Sequence, residues 1–312
     1  MLELAGVTKV FKTGMFGKEQ MTAVSDVSFT VQPGEVISLI GESGSGKTTV
    51  GRMILRLTGA TTGSITFDGR DVAGFGRGDL RDYYADVQGV FQDPFSSYNP
   101  VYKVDRVLGM IRSSYLTDLS ADDWKTKLRR SLEAVSLTPA DVLGKYPHQL
   151  SGGQLQRLMI ARALLLDIKF LVADEIISML DASTRIDVLN LLGDLKERGV
   201  GILFITHDLS LGNYISDRTI ILRRGCVVEM GATPRVFGNP VHPYTQMLLS
   251  AVPQLHSKWA EGSAGAAGWD HEVSASAAGP LVEVEPDHLV ASDESMSRAG
   301  AQPQTAQGGE NR

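Results

Sequence analysis

Cysteine is nearly missing from this chain. Cys226 stands alone among 312 residues, so no disulfide can close within the chain and its thiol cannot build a zinc or iron–sulfur centre unaided, a usage that fits a reducing compartment. Long apolar runs are missing too: the best candidate, around residues 158–172, is broken by Arg162, Asp167 and Lys169 and falls short of the ~18 apolar residues a membrane span needs. The chain is therefore not expected to cross a bilayer. Its first residues, Met1-Leu2-Glu3-Leu4, lack the basic start and apolar core of a signal peptide. A basic excess is absent as well. The net charge is -6, and residues 261–312 hold nine acidic side chains against Arg298 and Arg312, which leaves residues 1–260 at +1 and gives no reason to expect a nucleic-acid partner.

What is present has the proportions of a folded globular protein. Hydrophobic residues at 43% and charged residues at 21% exclude a collagen-like, coiled-coil or wholly disordered chain, and the length allows one large domain or two ordinary ones. Short apolar strands are predicted at 35–40, 64–69, 87–91, 169–173 and 201–206, with helices at 47–57, from 101 to about 141, at 155–167, and along Ile186, Leu189, Leu192 and Leu195 up to Gly199. Buried strands alternating with helices predict an α/β fold with a mostly parallel sheet, the helical block at 101–141 being an insertion at its edge. From about residue 257 the chain is rich in Ala, Gly, Ser, Gln and acids without a sustained period, which predicts a disordered acidic tail over 257–312, dispensable for stability and activity if the chain ends near Leu255.

The segment from Gly41 to Thr48, Gly-Glu-Ser-Gly-Ser-Gly-Lys-Thr, matches G-x-x-x-x-G-K-[ST] between a predicted strand and a predicted helix. Glycines let the backbone wrap closely enough to aim N–H groups at phosphates, the helix N-terminus adds positive potential, Lys47 pairs with the terminal phosphates, and the Thr48 hydroxyl holds Mg²⁺. A nucleoside triphosphate is the expected ligand. Downstream, the strand at 169–173 runs into Asp174-Glu175, where one carboxylate can reach Mg²⁺ and the next can orient or deprotonate a water. By itself such a pair is also an ordinary solvated strand end. Leu150-Ser151-Gly152-Gly153-Gln154 precedes another helix, with Ser151 as its cap and two glycines leaving N–H groups open. That pattern serves as a second phosphate-binding helix terminus or as a plain capped turn.

These motifs, in the order P-loop, Val90-Phe91-Gln92, Leu150 to Gln154, Asp174-Glu175, Ser178-Met179-Leu180-Asp181 and Thr206-His207-Asp208, resemble the ATP-binding-cassette family over roughly residues 2–254. The resemblance implies a P-loop NTPase cassette with a mostly parallel sheet, an antiparallel β subdomain and an inserted helical subdomain at about 101–150, all within a domain spanning 1–256. It assigns Gly41, Ser43, Gly44, Gly46, Lys47, Thr48 and Thr49 to the nucleotide phosphates, and Thr48, Gln92 and Asp174 to Mg²⁺. Glu175 becomes the catalytic base, Gln92 a contact to the attacking water, and His207 a contact to the γ-phosphate. Ser151, Gly152, Gly153 and Gln154 become the signature that meets a second cassette's ATP. Asp181 would cross that interface, although locally it is equally a helix cap. Phe11 would stack on adenine, unless a small N-terminal strand buries it.

Within the family, Phe91 to Pro100 and the late Asn239-Pro240-Val241-His242-Pro243-Tyr244 segment, within about 231–254, resemble the oligopeptide, dipeptide and nickel importer branch, features shared with some sugar-oligomer importers. This resemblance implies an ATPase on the cytoplasmic face of the plasma (inner) membrane. Its partners are a second cassette, a copy or a paralogue, paired head to tail, two transmembrane permease subunits and, indirectly, an extracytoplasmic solute-binding protein. Two departures stand out: Ile176 replaces the proline usual after the catalytic Glu, and no cysteine cluster comes after His242, which excludes an iron–sulfur site of the kind some relatives carry. Two other readings stay open: a soluble cassette ATPase of DNA repair or translation, and a low-turnover nucleotide-dependent regulator.

Overall fold

The computed structural model describes residues 1–13, 19–251 and 279–292. Two sheets organise them. An eight-stranded sheet has the order β11-β12-β10-β9-β3-β8-β7-β6, with β3 at Val36–Ile40, β6 at Val87–Val90, β7 at Phe170–Asp174, β8 at Gly201–Thr206, β9 at Arg218–Arg223, β10 at Cys226–Ala232, β11 at Leu281–Glu285 and β12 at His288–Ala291. Strands β6, β7, β8, β3 and β9 run parallel, and every residue of β3, β7 and β8 is buried, as expected of strands covered on both faces. A four-stranded antiparallel sheet, β2-β1-β4-β5, joins β1 (Leu2–Thr13), β2 (Glu19–Val31), β4 (Thr62–Phe67) and β5 (Arg70–Asp71). Leu2, Leu4, Val27 and Phe29 of that sheet share a core cluster with Ile37, Leu39 and Val50, so the small sheet lies over the start of the nucleotide-type α/β unit.

The helix after β3, α1, spans Lys47–Ile54 and stops three residues short of the predicted end, its last turn relaxing through Leu55. Helix α2 (Arg77–Asp86) has no counterpart among the predicted elements; its apolar face is short, Leu80, Tyr83 and Tyr84 packing on the core cluster of the small sheet. After β6 come α3 (Val104–Tyr115), α4 (Ala121–Glu133), the short α5 (Pro139–Val142) and α6 (Gly152–Leu164), whose buried Leu155, Leu158, Met159 and Ile160 enter the largest core cluster with Leu132 and Leu171. Helix α7 (Ala182–Glu197) comes after β7, and α8 (Leu209–Ile215) after β8. Beyond β10, α9 (Thr233–Gly238) and α10 (Pro243–Ser250) close a third cluster with Ile40, Ile221 and Tyr244.

The expectation of a wholly disordered acidic tail is overturned. Residues 281–291 form a hairpin, β11 (Leu281–Glu285) and β12 (His288–Ala291), and β12 pairs antiparallel with β10 through Glu229↔Val290, Met230↔Leu289 and Gly231↔His288. The Val-Glu-Val-Glu alternation and the Pro-Asp turn at 286–287 are the local signal for it. It is a short one, because the stability comes from the β10 edge rather than from the hairpin's own apolar content. The remainder of the predicted tail lies outside the described residues.

Candidate functional site

The loop between β3 and α1 is built by close backbone approach. A Cβ at Gly41 would stand 2.1 Å from the Leu222 carbonyl oxygen, and one at Gly46, whose φ is 106°, would stand 2.4 Å from that of Ala23. Only glycine lets the loop lean on β9 and β2 in this way. The Gly225 N–H donates to the Ser45 carbonyl at 2.9 Å, tying the loop to the β9–β10 turn. Lys47 opens α1 and its side chain is buried, with Nζ donating to the carbonyls of Gly41 and Glu42 at 2.7 Å each. Burial lowers the Lys47 pKa, and the charges of Glu175, Asp174 and Glu42 oppose that shift. An ammonium has three donors, so one remains for an incoming oxygen.

Asp174 ends β7 as a buried carboxyl beside the Thr48 side chain. Burial raises its pKa most, with the Glu175 charge adding, while Thr48, Lys47 and Arg52 pull it down. Gln92, just past β6, lines a cleft of ≈ 320 Å³ together with Thr48, Arg52 and Asp174. Glu175 turns the chain out of the sheet at φ 51°, held by its N–H to the Ile205 carbonyl at 2.9 Å. Its carboxylate lies 3.2 Å from His207 Nδ1, and both line a second cleft of ≈ 150 Å³ with Thr206, Asp208 and Arg185. The Asp208 N–H donates to Thr206 Oγ1 at 2.9 Å, fixing the turn that presents His207. Ile176 is fully buried in the core, so its branched side chain packs away from solvent while Glu175 keeps its histidine.

The structure thus brings together Lys47, Thr48, Gln92, Asp174, Glu175 and His207 around the ends of β3, β6, β7 and β8. It does not bring the signature to them: neither cleft is lined by Ser151, Gly152, Gly153 or Gln154, by Asp181 or by Phe11. Ser151 caps α6 in a reciprocal box, its Oγ accepting from the Gln154 N–H at 3.1 Å and its N–H donating to Gln154 Oε1 at 3.0 Å. Met179 and Phe95 are the nearest neighbours of Gly152, and Leu180 of Gly153. Asp181 caps α7, and hydrogen bonds from the Thr184 N–H and the Ser183 and Thr184 hydroxyls hold its carboxyl at about 2. Phe11 is half-buried on β1 opposite Met21, with Lys9 Nζ 4.9 Å from its ring centre. Tyr244 and Arg52, which sequence reasoning does not assign to the site, also belong to this neighbourhood. No local pattern marks Arg52, and the reach of Tyr244 back to the loop is purely tertiary.

These residues fit a phosphate chain and a divalent cation. The loop's glycines let it press on the backbone of Ala23 and Leu222, and its Ser45 Oγ is buried with no hydrogen-bond partner among the described residues. Thr48, Asp174 and Gln92 form an all-oxygen donor set of the kind Mg²⁺ takes.

Comparison with known proteins gives the same answer. Residues 24–178 match the ABC transporter family, and residues 228–275 match the oligopeptide/dipeptide transporter C-terminal region. The oligopeptide transport ATP-binding protein OppF of Streptococcus pyogenes serotype M1 is 42% identical over 239 residues, covering 76% of this chain and 78% of that protein. Among solved structures, the ATP-binding cassette MJ0796, in a dimeric post-hydrolysis state bound to ADP and Pi, superposes with a TM-score of 0.68 at 28% identity, over 75% of this chain and 99% of that one. A second dimeric structure of MJ0796, described as a bacterial ABC transporter cassette, gives 0.68 at 29% identity over the same shares. No helix among the described residues is long and apolar enough to cross a membrane. With its loop, its strand-end carboxylates and this extent of identity, the chain belongs to the ATP-binding ATPase subunits of ABC transporters, in their oligopeptide/dipeptide branch.

Proposed function

We propose that the chain hydrolyses Mg-ATP on the cytoplasmic face of the plasma membrane to power import of oligopeptides, dipeptides or a related solute such as oligosaccharides. Two transmembrane permease subunits would form the path, an extracytoplasmic binding protein would deliver the solute, and a second cassette, copy or paralogue, would complete each ATP site. The OppF relative and the C-terminal match support the peptide assignment. One observation carries the chemistry: Thr48, Asp174 and Gln92 line one cleft beside Lys47, and Glu175 and His207 are paired one residue further on.

Each side chain then has a task. Lys47 keeps its ammonium oriented through the Gly41 and Glu42 carbonyls and turns its remaining donor to a phosphate oxygen. Thr48, Asp174 and Gln92 would hold Mg²⁺, which supplies positive charge against the charge that develops on the transferred phosphoryl group. Glu175 orients and deprotonates the attacking water, and His207 fixes that carboxylate while lying exposed where a γ-phosphate contact is needed. Phe11 offers a ring face to adenine beside Lys9. The open N–H groups of Gly152 and Gly153 at the start of α6 face a partner's ATP, because no cleft of this chain that holds Thr48 or Glu175 includes them. The test is the thermal shift produced by Mg-ATP. It is expected in the parent and absent in Lys47→Ala, whose free protein should melt near the parent; equal shifts in both would overturn the assignment.

A further inference from the structure

The His-Pro-Tyr segment leads back to the phosphate loop. Tyr244, near the start of α10, is 2% exposed and packs with Ile40 and Ile221, with the Arg223 guanidinium carbon 4.9 Å from its ring centre. Its hydroxyl oxygen accepts a hydrogen bond from the Glu42 N–H at 3.2 Å. That N–H and the Gly41 carbonyl belong to one peptide unit, and the carbonyl accepts from Lys47 Nζ at 2.7 Å. A single peptide plane is therefore gripped at both poles, by the phenol on one side and by the ammonium on the other. Since the peptide is planar, rotating it about its flanking bonds moves both poles together.

We propose that Tyr244 is a positioning residue for nucleotide binding, its hydroxyl fixing the 41–42 peptide and through it the resting place of the Lys47 ammonium. The inference rests on Lys47 as the phosphate ligand. Tyr244 is itself fixed from below: His242 Nδ1 accepts from the Tyr244 N–H at 3.1 Å, and Pro243 begins the helix. The fully buried Glu229 carboxylate accepts the N–H groups of Val241 and His242 at 2.9 Å each. The three motif residues thus divide the work: His242 caps, Pro243 starts the turn, and Tyr244 reaches the loop. Burial also raises the phenol's pKa, so near neutral pH the group is an uncharged acceptor.

The experiment compares the full chain with Tyr244→Phe, which removes only the hydroxyl, Tyr244→Leu, which removes the packing as well, and Lys47→Ala. Mg-ATP affinity is measured by titration and exchange of the Glu42 amide by hydrogen–deuterium exchange. In the parent the Glu42 amide should be protected. In Tyr244→Phe its exchange should rise about tenfold and Kd for Mg-ATP about 3- to 10-fold, the span of one net hydrogen bond. The ATPase assay should show that loss as a raised KM with kcat within twofold. A merely structural role would instead lower the active fraction and kcat at unchanged KM, with Tyr244→Phe like the parent and Tyr244→Leu damaged, and that pattern overturns the proposal. So does a Glu42 amide that exchanges in the parent as fast as an open loop, a measurement that needs no variant to fold. If Lys47→Ala still binds Mg-ATP, the Lys47 assignment fails, and this inference with it.

Discussion

In the proposed mechanism Glu175 concentrates the chemistry in one residue. A non-glycine side chain in the left-handed region costs about 1–2 kcal/mol, and here that cost is carried at the point where the chain leaves β7 with two consecutive carboxylates turned to different partners. Asp174 stays buried against Thr48, while Glu175 turns toward His207. Glu175→Gln preserves size and polarity but removes the charge that takes up a proton. Hydrolysis should fall by about 10²- to 10⁴-fold while Mg-ATP binding is kept, because Lys47, Thr48 and Asp174 are untouched. Phosphate release together with the Mg-ATP thermal shift checks both halves. A variant that hydrolyses at the parent's rate would show that Glu175 is not the base.

At the scale of elements, the hairpin β11–β12 covers the β10 edge. His288 is fully buried and its Nε2 lies 2.7 Å from Glu229 Oε1, so the hairpin closes over a carboxylate that has no access to water. Removing one partner of a buried hydrogen bond typically costs about 1–3 kcal/mol. A chain ending near Leu255 is therefore expected to melt several degrees below the full chain, the reverse of what a disordered tail predicts, and His288→Ala should reproduce much of that loss. Differential scanning fluorimetry measures both. Equal melting temperatures would mean that β10 needs no cover. Because Glu229 also holds Val241 and His242, the truncated chain should lose some Mg-ATP affinity as well, through Tyr244.

For the whole molecule, the proposed signature lines neither of the clefts that hold Thr48 and Glu175. Thr48 and Glu175 line one pair of clefts; Ser151, Gly152 and Gly153 lie elsewhere, the two glycines beside Met179, Leu180 and Phe95. In the proposed head-to-tail pairing, a chain lacking Lys47 and a chain whose signature is blocked should complement each other. Lys47→Ala and Ser151→Arg should each be inactive alone, and mixing them should restore hydrolysis if two copies of this chain pair, since one of the two sites then has both parts intact. No recovery on mixing, with activity regained only on adding a different cassette, would assign the pairing to a paralogue. Ser151→Arg should retain Mg-ATP binding at its own Lys47, with the loss of the helix cap costing about 1 kcal/mol of stability.

The loop from Gly41 to Thr48, the acidic pair at 174–175 and the central strands are legible in the chain itself, because glycine spacing, strand-end carboxylates and continuous apolar runs are local consequences of local chemistry. Nothing local shows that Asp174 comes beside Thr48, or that Glu175 meets His207 across two strands, since parallel neighbours are assigned by sheet order and not by sequence distance. The hairpin at 281–291 escapes a reading by composition because its apolar content is too small to order it alone; β10 supplies the edge and Glu229 the buried partner. In the sequence Tyr244 is only part of a segment that marks a branch of the family. Its hydroxyl meets Glu42 across 202 residues of chain, a contact created by packing α10 against Ile40 and Ile221, which only the folded chain brings together.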